Sequence, residues 1–241
     1  MLVIEFTEQN KIIQNFKTKV YLWYNKYMIK KIVKENKNYL FMLFGIIVFF
    51  YLFKNIGGFD LLRPIDQFVE NIFQNKLNRN FVKLVHITSD FIGIYTLIVI
   101  IVCMILKFKN KYYFIMQTIC YVFTLSTLLI TKNVVCRTRP SIEVFATIDV
   151  YSFPSGHTIT AFVGYYFLAY ILSLKSDKKS NIAYYLIATI LVATVAFTRL
   201  YLNVHYFTDI LGSIIFGTLI LKCMINIVNK NFKGKLVWKE V

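Results

Sequence analysis

Long apolar runs, separated by short charged links, set the pattern of this chain. Five of the runs contain no charged residue, and a sixth contains a single carboxylate, Asp209. A helix needs about 20 apolar residues to cross the ~30 Å hydrocarbon core of a bilayer. A shorter run can still cross when aromatic or lysine side chains at its ends reach the membrane interface. The pattern therefore predicts six transmembrane helices, over residues 39–53, 91–106, 112–131, 158–174, 180–198 and 200–221.

The composition agrees with a membrane protein rather than a soluble one. Hydrophobic residues make up 57% of the 241 and charged residues 17%, whereas soluble domains carry about 25% charged residues. The apolar runs recur at near-regular intervals, which leaves no room for a separate soluble domain. We therefore predict an all-α, polytopic membrane protein with one six-helix domain over residues 39–225 and a basic tail over residues 226–241.

Residues 1–38 form a basic segment with apolar side chains at helical steps of three and four, from Ile12 to Tyr27. This pattern is typical of an amphipathic helix on a membrane surface, and a frayed cytoplasmic tail fits it equally well. No cleavable signal peptide is predicted in this segment because it is polar and lysine-rich, so the first span is expected to act as the targeting signal.

The positive charges are distributed unevenly over the six-span arrangement. The chain has a formal net charge of +16, and 19 of its 28 Lys and Arg residues fall in the termini and in the links 107–111 and 175–179. Because cytoplasmic loops are enriched in Lys and Arg, both termini are predicted to be cytoplasmic. Topology and attraction to anionic lipid then explain the charge, and a nucleic-acid partner is excluded.

The first polar cluster on the predicted outer face is TKNVVCRTRP, residues 131–140. Lys132 and Arg139 are seven residues apart, so a helix that continues to Pro140 would place both cations on one face. Cations of this kind can bind an anion. Lys132, Arg137 and Arg139 could equally flank a membrane span with no further role, and the cluster alone does not decide between the two.

The second outer cluster is YSFPSGHTIT, residues 151–160. Ser155 is a favoured N-cap residue, Gly156 lets a ligand approach the backbone, and the apolar helix begins at once. Free N–H groups at such a helix start form a natural phosphate site, into which His157 would project. A single histidine at a membrane interface can also be a bystander.

The third outer cluster is TRLYLNVHYFTD, residues 198–209. His205 and Asp209 are four residues apart at the predicted start of the sixth helix, so they should share a face. The carboxylate can then hold one imidazole nitrogen while the other stays free. Arg199, at the end of the fifth span, can face the same spot. A carboxylate inside a membrane helix is costly without a partner, which indicates a functional site.

Together the clusters place cations, two histidines, a carboxylate and a helix N-terminus on one side of the membrane. This set suits phosphoryl transfer: cations neutralise the phosphate oxygens, a neutral histidine attacks phosphorus, and a second histidine protonates the departing oxygen. No acidic cluster indicates a metal site, so no metal or other cofactor is predicted. The spacing alone does not decide which histidine attacks, although the neighbouring carboxylate favours His205.

At these residues the chain closely resembles the type 2 phosphatidic acid phosphatase superfamily of membrane lipid phosphatases, over about residues 55–225. The three motifs of that family correspond to Lys132 with Arg139-Pro140, to Pro154 through His157, and to Arg199, His205 and Asp209. Thr198 stands where the third motif usually has serine, which keeps a hydroxyl at that position.

The resemblance implies a role for each matched residue. His205 would be the nucleophile that forms a phosphohistidine, Asp209 would orient it, and His157 would be the acid that protonates the leaving group. The substrate phosphate would be bound by Lys132, Arg139, Ser155, Gly156 and Arg199.

The resemblance also implies a metal-independent lipid phosphatase of the bacterial inner membrane, with its site facing the outer side. The expected substrates are undecaprenyl pyrophosphate, phosphatidylglycerol phosphate or phosphatidic acid. A lipid A phosphatase of the same family and a non-catalytic six-span anion or lipid transporter are the alternatives. Only 13 residues separate Pro140 from Pro154, so no large cap domain is expected over the site. His86 matches no motif and is predicted to be structural.

Overall fold

The structure is a computed structural model that describes residues 2–74, 84–85, 87–88, 111–140, 151–174 and 176–232. Within these ranges the regular elements are helices, as the hydrophobic pattern predicts. They are α1 (Leu2–Asn55), α2 (Gly58–Leu61), α3 (Arg63–Gln74), α4 (Lys111–Val135), α5 (Gly156–Ser173), α6 (Lys178–Tyr201), α7 (Phe207–Ile227) and a π-helical turn (Val228–Phe232).

The contacts within the chain divide it into two units, residues 1–38 and residues 39–241. The first unit lies within α1 and includes an i,i+4 ion pair between Lys31 and Glu35, at 4.0 Å. Glu and Lys at this spacing stabilise a helix by a few tenths of a kcal/mol, roughly 0.2–0.5. The second unit contains the other helices and all of the residues predicted to form the site.

Four of the described helices are long and apolar enough to cross a membrane: Lys26–Asn55, Tyr112–Val135, Lys178–Tyr201 and Phe207–Phe232. They correspond to the first, third, fifth and sixth predicted spans. The fourth prediction matches α5, which is helical over Gly156–Ser173 and carries His, Thr and Tyr side chains among its apolar residues. The second prediction, residues 91–106, lies outside the described residues.

Two predicted helix boundaries near the polar clusters are wrong. The sixth span was expected to begin at Leu200, but α6 continues to Tyr201 and α7 begins only at Phe207, with a tight turn between them. The helix of the third span was expected to reach Pro140, but α4 ends at Val135. Cys136 has a φ of 49°, in the left-handed region where an α-helix cannot continue.

Helix α5 is the central helix of the described bundle. It contacts α4, α6 and α7, and most of its residues are buried, including Ile159, Phe167 and Ile171. A helix surrounded in this way can carry Tyr side chains, because its neighbours rather than lipid supply their partners. The Tyr166 hydroxyl of α5, for example, lies 2.8 Å from Thr189 Oγ1 of α6.

An aromatic cluster anchors the segment that leads into α5. Phe153 is fully buried, with its ring centroid 4.5 Å from that of Phe50 and 5.3 Å from that of Phe59. Gly212 of α7 makes room for it, since a Cβ at that position would lie 2.3 Å from the Phe153 ring. Such aromatic pairs contribute about 0.5–1.5 kcal/mol beyond the area they bury. The position of the following residues, Pro154 through His157, therefore depends on this packing.

Candidate active site

The turn between α6 and α7 positions the first of the candidate site residues. It is closed by the Val204 N–H, which donates to the Arg199 carbonyl at 3.2 Å. Asn203 has a φ of 52°, a left-handed conformation that asparagine tolerates better than most residues. The turn places His205 directly before α7 rather than on it.

His205 and Asp209 are in contact despite that difference from the predicted helix face. His205 Nδ1 lies 3.4 Å from Asp209 Oδ2, and the same oxygen accepts the Tyr206 N–H at 3.0 Å. Tyr206 is the N-cap of α7 and Asp209 is the third helical residue, so the carboxylate turns back to the helix start as in a capping box. This geometry brings the carboxylate to the imidazole.

The environment of His205 keeps its imidazole neutral at neutral pH. His205 is 3% exposed and lies outside the candidate membrane spans. Burial lowers the pKa of His205 to about 4, because the charged imidazolium loses hydration, and the positive charges of Arg139 and Lys132 act in the same direction. Asp209 opposes both effects. In the tautomer that carries its proton on Nδ1, the N–H faces Asp209 and the imidazole keeps a lone pair on Nε2.

Arg137 binds Oδ1, the second carboxylate oxygen of Asp209. Arg137 Nη1 donates to Asp209 Oδ1 at 2.6 Å and to Thr208 Oγ1 at 2.8 Å, and Nη2 donates to Asp66 Oδ2 at 2.7 Å. The guanidinium also lies 4.1 Å from the ring centroid of Tyr206. Arg137 is 7% exposed and both carboxylates are fully buried.

Asp66 caps the N-terminus of α7 although it belongs to α3. Its Oδ1 accepts the Thr208 N–H at 3.0 Å, and its Oδ2 accepts the Thr208 hydroxyl at 2.9 Å. A carboxylate at this position satisfies a free helix N–H and interacts favourably with the positive end of the helix dipole. Asp66 therefore fastens α3 to the start of the helix that carries Asp209.

Lys132 and Arg139 hold the segments on either side of this cluster. Lys132, in the last turn of α4, donates from Nζ to the Tyr151 carbonyl, and Arg139 donates from Nη1 to the Val204 carbonyl at 2.8 Å. The two do not share a helix face, because α4 ends before Arg139. Burial lowers the pKa of the Arg139 guanidinium, and the negative charge of Asp209 opposes this effect. The charge of Asp209 is therefore felt at Arg139.

Ser155, Gly156 and His157 form the start of α5. Ser155 is the N-cap, as expected, but its hydroxyl contacts Thr158 Oγ1 at 3.0 Å. A Cβ on Gly156 would lie 3.2 Å from the Leu128 side chain, so the close approach of α4 also favours glycine there. His157 is the second residue of the helix and is half-buried.

Hydrogen bonds connect the three clusters into one region. The Ser152 N–H donates to the Arg137 carbonyl at 2.8 Å, which joins the second cluster to the first. Ser213 donates to the Asp209 carbonyl at 2.7 Å and lies 3.1 Å from the Ser155 carbonyl, which joins the third to the second. Arg199, in the last turn of α6, is 4% exposed.

Two further expectations from the sequence concern His86 and a metal site. His86 lies outside the described residues. Among the residues that are described, no group of three or more His, Cys, Asp or Glu side chains could hold a metal ion.

Asp66 and Thr208 are the site residues that sequence reasoning missed, and it treated Arg137 only as a flanking cation. Asp66 and Thr208 are 142 positions apart, so no local spacing connects them. Asp66 also lies among ordinary interfacial charges in the sequence. Its only distinguishing feature, complete burial, becomes visible in the folded chain.

Comparison with curated proteins finds two relatives that are named as phosphatases. Over 93 residues the chain is 34% identical to phosphatidylglycerophosphatase B of Bacillus subtilis, which covers 38% of this chain and 46% of that protein. It is 36% identical over 112 residues to lipid phosphate phosphatase delta of Arabidopsis thaliana, covering 41% of this chain and 27% of that protein. The matches thus span less than half the length of either relative.

The fold is similar to that of a solved membrane protein. The crystal structure of a transmembrane PAP2-type phosphatidylglycerolphosphate phosphatase from Bacillus subtilis matches with a TM-score of 0.66 and 21% identity, over 78% of this chain and 96% of that one. The model of the PAP2 superfamily matches residues 91–233, which is more than half of the chain. The resemblance found in the motifs is thereby confirmed, and the chain belongs to the PAP2 superfamily.

Proposed function

We propose that this protein is an integral membrane lipid phosphatase that works through a phosphohistidine on His205. The observation that supports this most strongly is the neutral, buried His205, held by Asp209 through Nδ1 and within the electrostatic reach of Lys132 and Arg139. An imidazole in this state is a nucleophile, and the surrounding cations favour the approach of a phosphate.

The reaction proceeds in two steps. In the first, the Nε2 lone pair of His205 attacks the terminal phosphorus, the bond from that phosphorus to the leaving oxygen breaks, and His157 gives that oxygen a proton; the leaving group is the lipid alcohol of a phosphomonoester or the lipid monophosphate of a pyrophosphate. In the second, His157 takes a proton from water, the resulting hydroxide attacks the phosphohistidine, and inorganic phosphate leaves His205. Asp209 keeps its hydrogen bond to Nδ1 throughout and stabilises the positive charge that develops on the ring.

The phosphate oxygens are bound by Lys132, Arg139 and Arg199, with Ser155 and the Gly156 amide at the N-terminus of α5. Helix N-termini and arginine side chains are both well suited to a phosphate that gains charge in the transition state. These groups supply the charge neutralisation that a metal ion provides in other phosphatases, so activity is expected without added metal.

The substrate is a lipid phosphate or lipid pyrophosphate whose tail stays in the bilayer. Phosphatidylglycerol phosphate, undecaprenyl pyrophosphate and phosphatidic acid all fit. The similarity to phosphatidylglycerophosphatase B of Bacillus subtilis favours phosphatidylglycerol phosphate. We place the site on the outer side of the bacterial inner membrane, with six spans and cytoplasmic termini, because Lys and Arg concentrate in the alternate links.

The test is inorganic phosphate release by the detergent-purified protein in the presence of EDTA. The panel contains phosphatidylglycerol phosphate, undecaprenyl pyrophosphate, phosphatidic acid and lipid A. We expect one strong substrate, and loss of turnover by on the order of a thousandfold or more in His205→Ala and in His157→Ala. His86→Ala is the matched control and should retain activity.

Other outcomes would change the conclusion. Phosphate release from lipid A alone would identify the protein as a lipid A phosphatase. Turnover that persists in His205→Ala, or its absence from every lipid in well-folded wild-type protein, would contradict the proposed function and favour an anion or lipid transporter. Inactivation by EDTA that magnesium reverses would contradict the metal-free mechanism.

A further inference from the structure

The buried ionic cluster next to His205 contains a cation and a carboxylate to which the proposed reaction gives no role. Arg137 stands between two carboxylates, with Nη1 2.6 Å from Asp209 Oδ1 and Nη2 2.7 Å from Asp66 Oδ2. All three side chains are buried. Two buried carboxylates require a compensating positive charge, and removing it alone would leave both unpaired.

The contacts of Asp209 divide its carboxylate into two halves. Oδ1 is held by Arg137 at 2.6 Å, while Oδ2 accepts the Tyr206 N–H at 3.0 Å and faces His205 Nδ1 at 3.4 Å. A carboxylate held at only one oxygen could rotate about the Cβ–Cγ bond. The bond to Arg137 fixes the second oxygen, and with it the plane that Oδ2 presents to the imidazole.

Asp66 in turn fixes Arg137. Its two oxygens are held by Thr208, through the backbone N–H at 3.0 Å and the hydroxyl at 2.9 Å, and Oδ2 also receives Arg137 Nη2. Arg137 donates back to the Thr208 hydroxyl at 2.8 Å. The guanidinium thus has hydrogen-bond acceptors on two sides and lies 4.1 Å from the ring centroids of both Phe59 and Tyr206, which leaves it little freedom to move.

We propose that Arg137, held by Asp66, is a positioning residue that orients Asp209 and through it the His205 nucleophile. This inference rests on the proposed function. Asp66 precedes residues 91–233, the part of the chain that the family model matches, so the inference extends the site to a helix outside that match. In this arrangement α3 takes part in catalysis without touching the substrate.

The experiment compares Arg137→Met, Arg137→Lys and Asp66→Asn with wild-type protein, using the best lipid substrate. A displaced nucleophile costs rate rather than phosphate affinity, and a misplacement of about 1 Å can cost roughly a hundredfold. We expect kcat of Arg137→Met to fall by about that factor, with KM and inhibition by inorganic phosphate nearly unchanged. Arg137→Lys should recover part of the rate, and Asp66→Asn should lie between Arg137→Met and wild type.

Chemical rescue provides a readout that a purely structural role would not move. A cavity of about 380 Å³ is lined in part by Arg137, Thr138 and Tyr206 and can admit a small ion. We expect guanidinium chloride at millimolar concentration to restore kcat of Arg137→Ala in a saturable way. Urea, which has a similar shape and no charge, should not.

Three results would overturn the proposal. One is a folded Arg137→Met protein with wild-type kcat. Another is a rise in KM and in the inhibition constant for phosphate, which would make Arg137 a phosphate ligand. The third is equal rescue by urea and guanidinium. If Arg137→Met does not fold, the Arg137→Lys and Asp66→Asn measurements decide. An inactive wild-type protein would instead refute the proposed function itself, and this inference with it.

Discussion

His205 is the residue whose surroundings determine most of the proposed chemistry. It is nearly fully buried, and burial lowers its pKa to about 4 against the opposing effect of Asp209. A histidine with an ordinary pKa of about 6.5 would be partly protonated at neutral pH and unable to attack in that form. The fold therefore keeps the imidazole of the proposed nucleophile neutral over a wider range of pH.

This state of His205 can be measured directly because the chain has only three histidines. In protein labelled with 13C-histidine, we expect one imidazole signal to stay in its neutral position from pH 8 to about pH 5.5, since the pKa of His205 is about 4. The signal should be missing in His205→Asn. If the signal lost in that variant titrates near pH 6.5 in the wild type, the account of this residue is wrong.

The same pKa difference links His205 to stability. As pH falls below about 6.5, the unfolded chain takes up a proton at this residue. The folded chain does not do so until pH is near 4. The unfolded state therefore binds more protons in this window, and the contribution of His205 to the free energy of unfolding decreases on acidification.

At the residue scale, local spacing predicted the contact between His205 and Asp209 but not the ion pair between Arg137 and Asp66. The four-residue step from His205 to Asp209 is visible in the sequence, and the two side chains are in contact. Arg137 and Asp66 are connected only through tertiary packing across 71 positions. A buried ion pair of this kind leaves no periodic signal.

At the scale of helices, the start of α5 depends on how closely α7 can approach the Phe153 ring. Gly212→Ala would place a Cβ 2.3 Å from that ring, so Phe153 must move. Overpacking of this kind costs about 1–3 kcal/mol. We expect a lower thermal midpoint in detergent for Gly212→Ala and reduced turnover, because the displaced segment leads to Ser155 and His157.

Gly45→Ala is the matched control for this substitution. No atom lies within 4 Å of a Cβ at Gly45, which is in the middle of α1. That variant should keep the wild-type midpoint, or raise it slightly because alanine favours helix over glycine. Equal midpoints for the two variants would show that the Phe153 packing does not constrain α5.

The hydrophobic pattern predicted the helices better than their ends. The apolar runs at 112–131, 158–174 and 180–198 all lie within or almost within α4, α5 and α6. The end of α4 and the start of α7 were misplaced because local backbone conformation and polar contacts decide them. Cys136 leaves the helix in a left-handed conformation, and Asp66 and Tyr206 cap α7. Hydropathy carries no information about such contacts.

At the scale of the whole molecule, the candidate site is assembled from segments far apart in the chain. The end of α4, the segments 136–140 and 151–155, and the turn before α7 meet through hydrogen bonds to Val204, Arg137 and Ser155. Each of these segments follows or precedes a long apolar helix. The helices therefore supply rigid supports for the polar groups of the candidate site.

The most direct test of the central claim is to trap the covalent intermediate. Purified protein would be mixed briefly with 32P-labelled lipid phosphate, quenched in alkali, under which phosphohistidine survives, and mapped by mass spectrometry. We predict label on His205, none in His205→Ala, and greater accumulation in any variant that slows the attack of water more than the formation of the intermediate. Phosphate release by wild-type protein with label on another residue, or with no label at all on His205 at early times, would contradict the account.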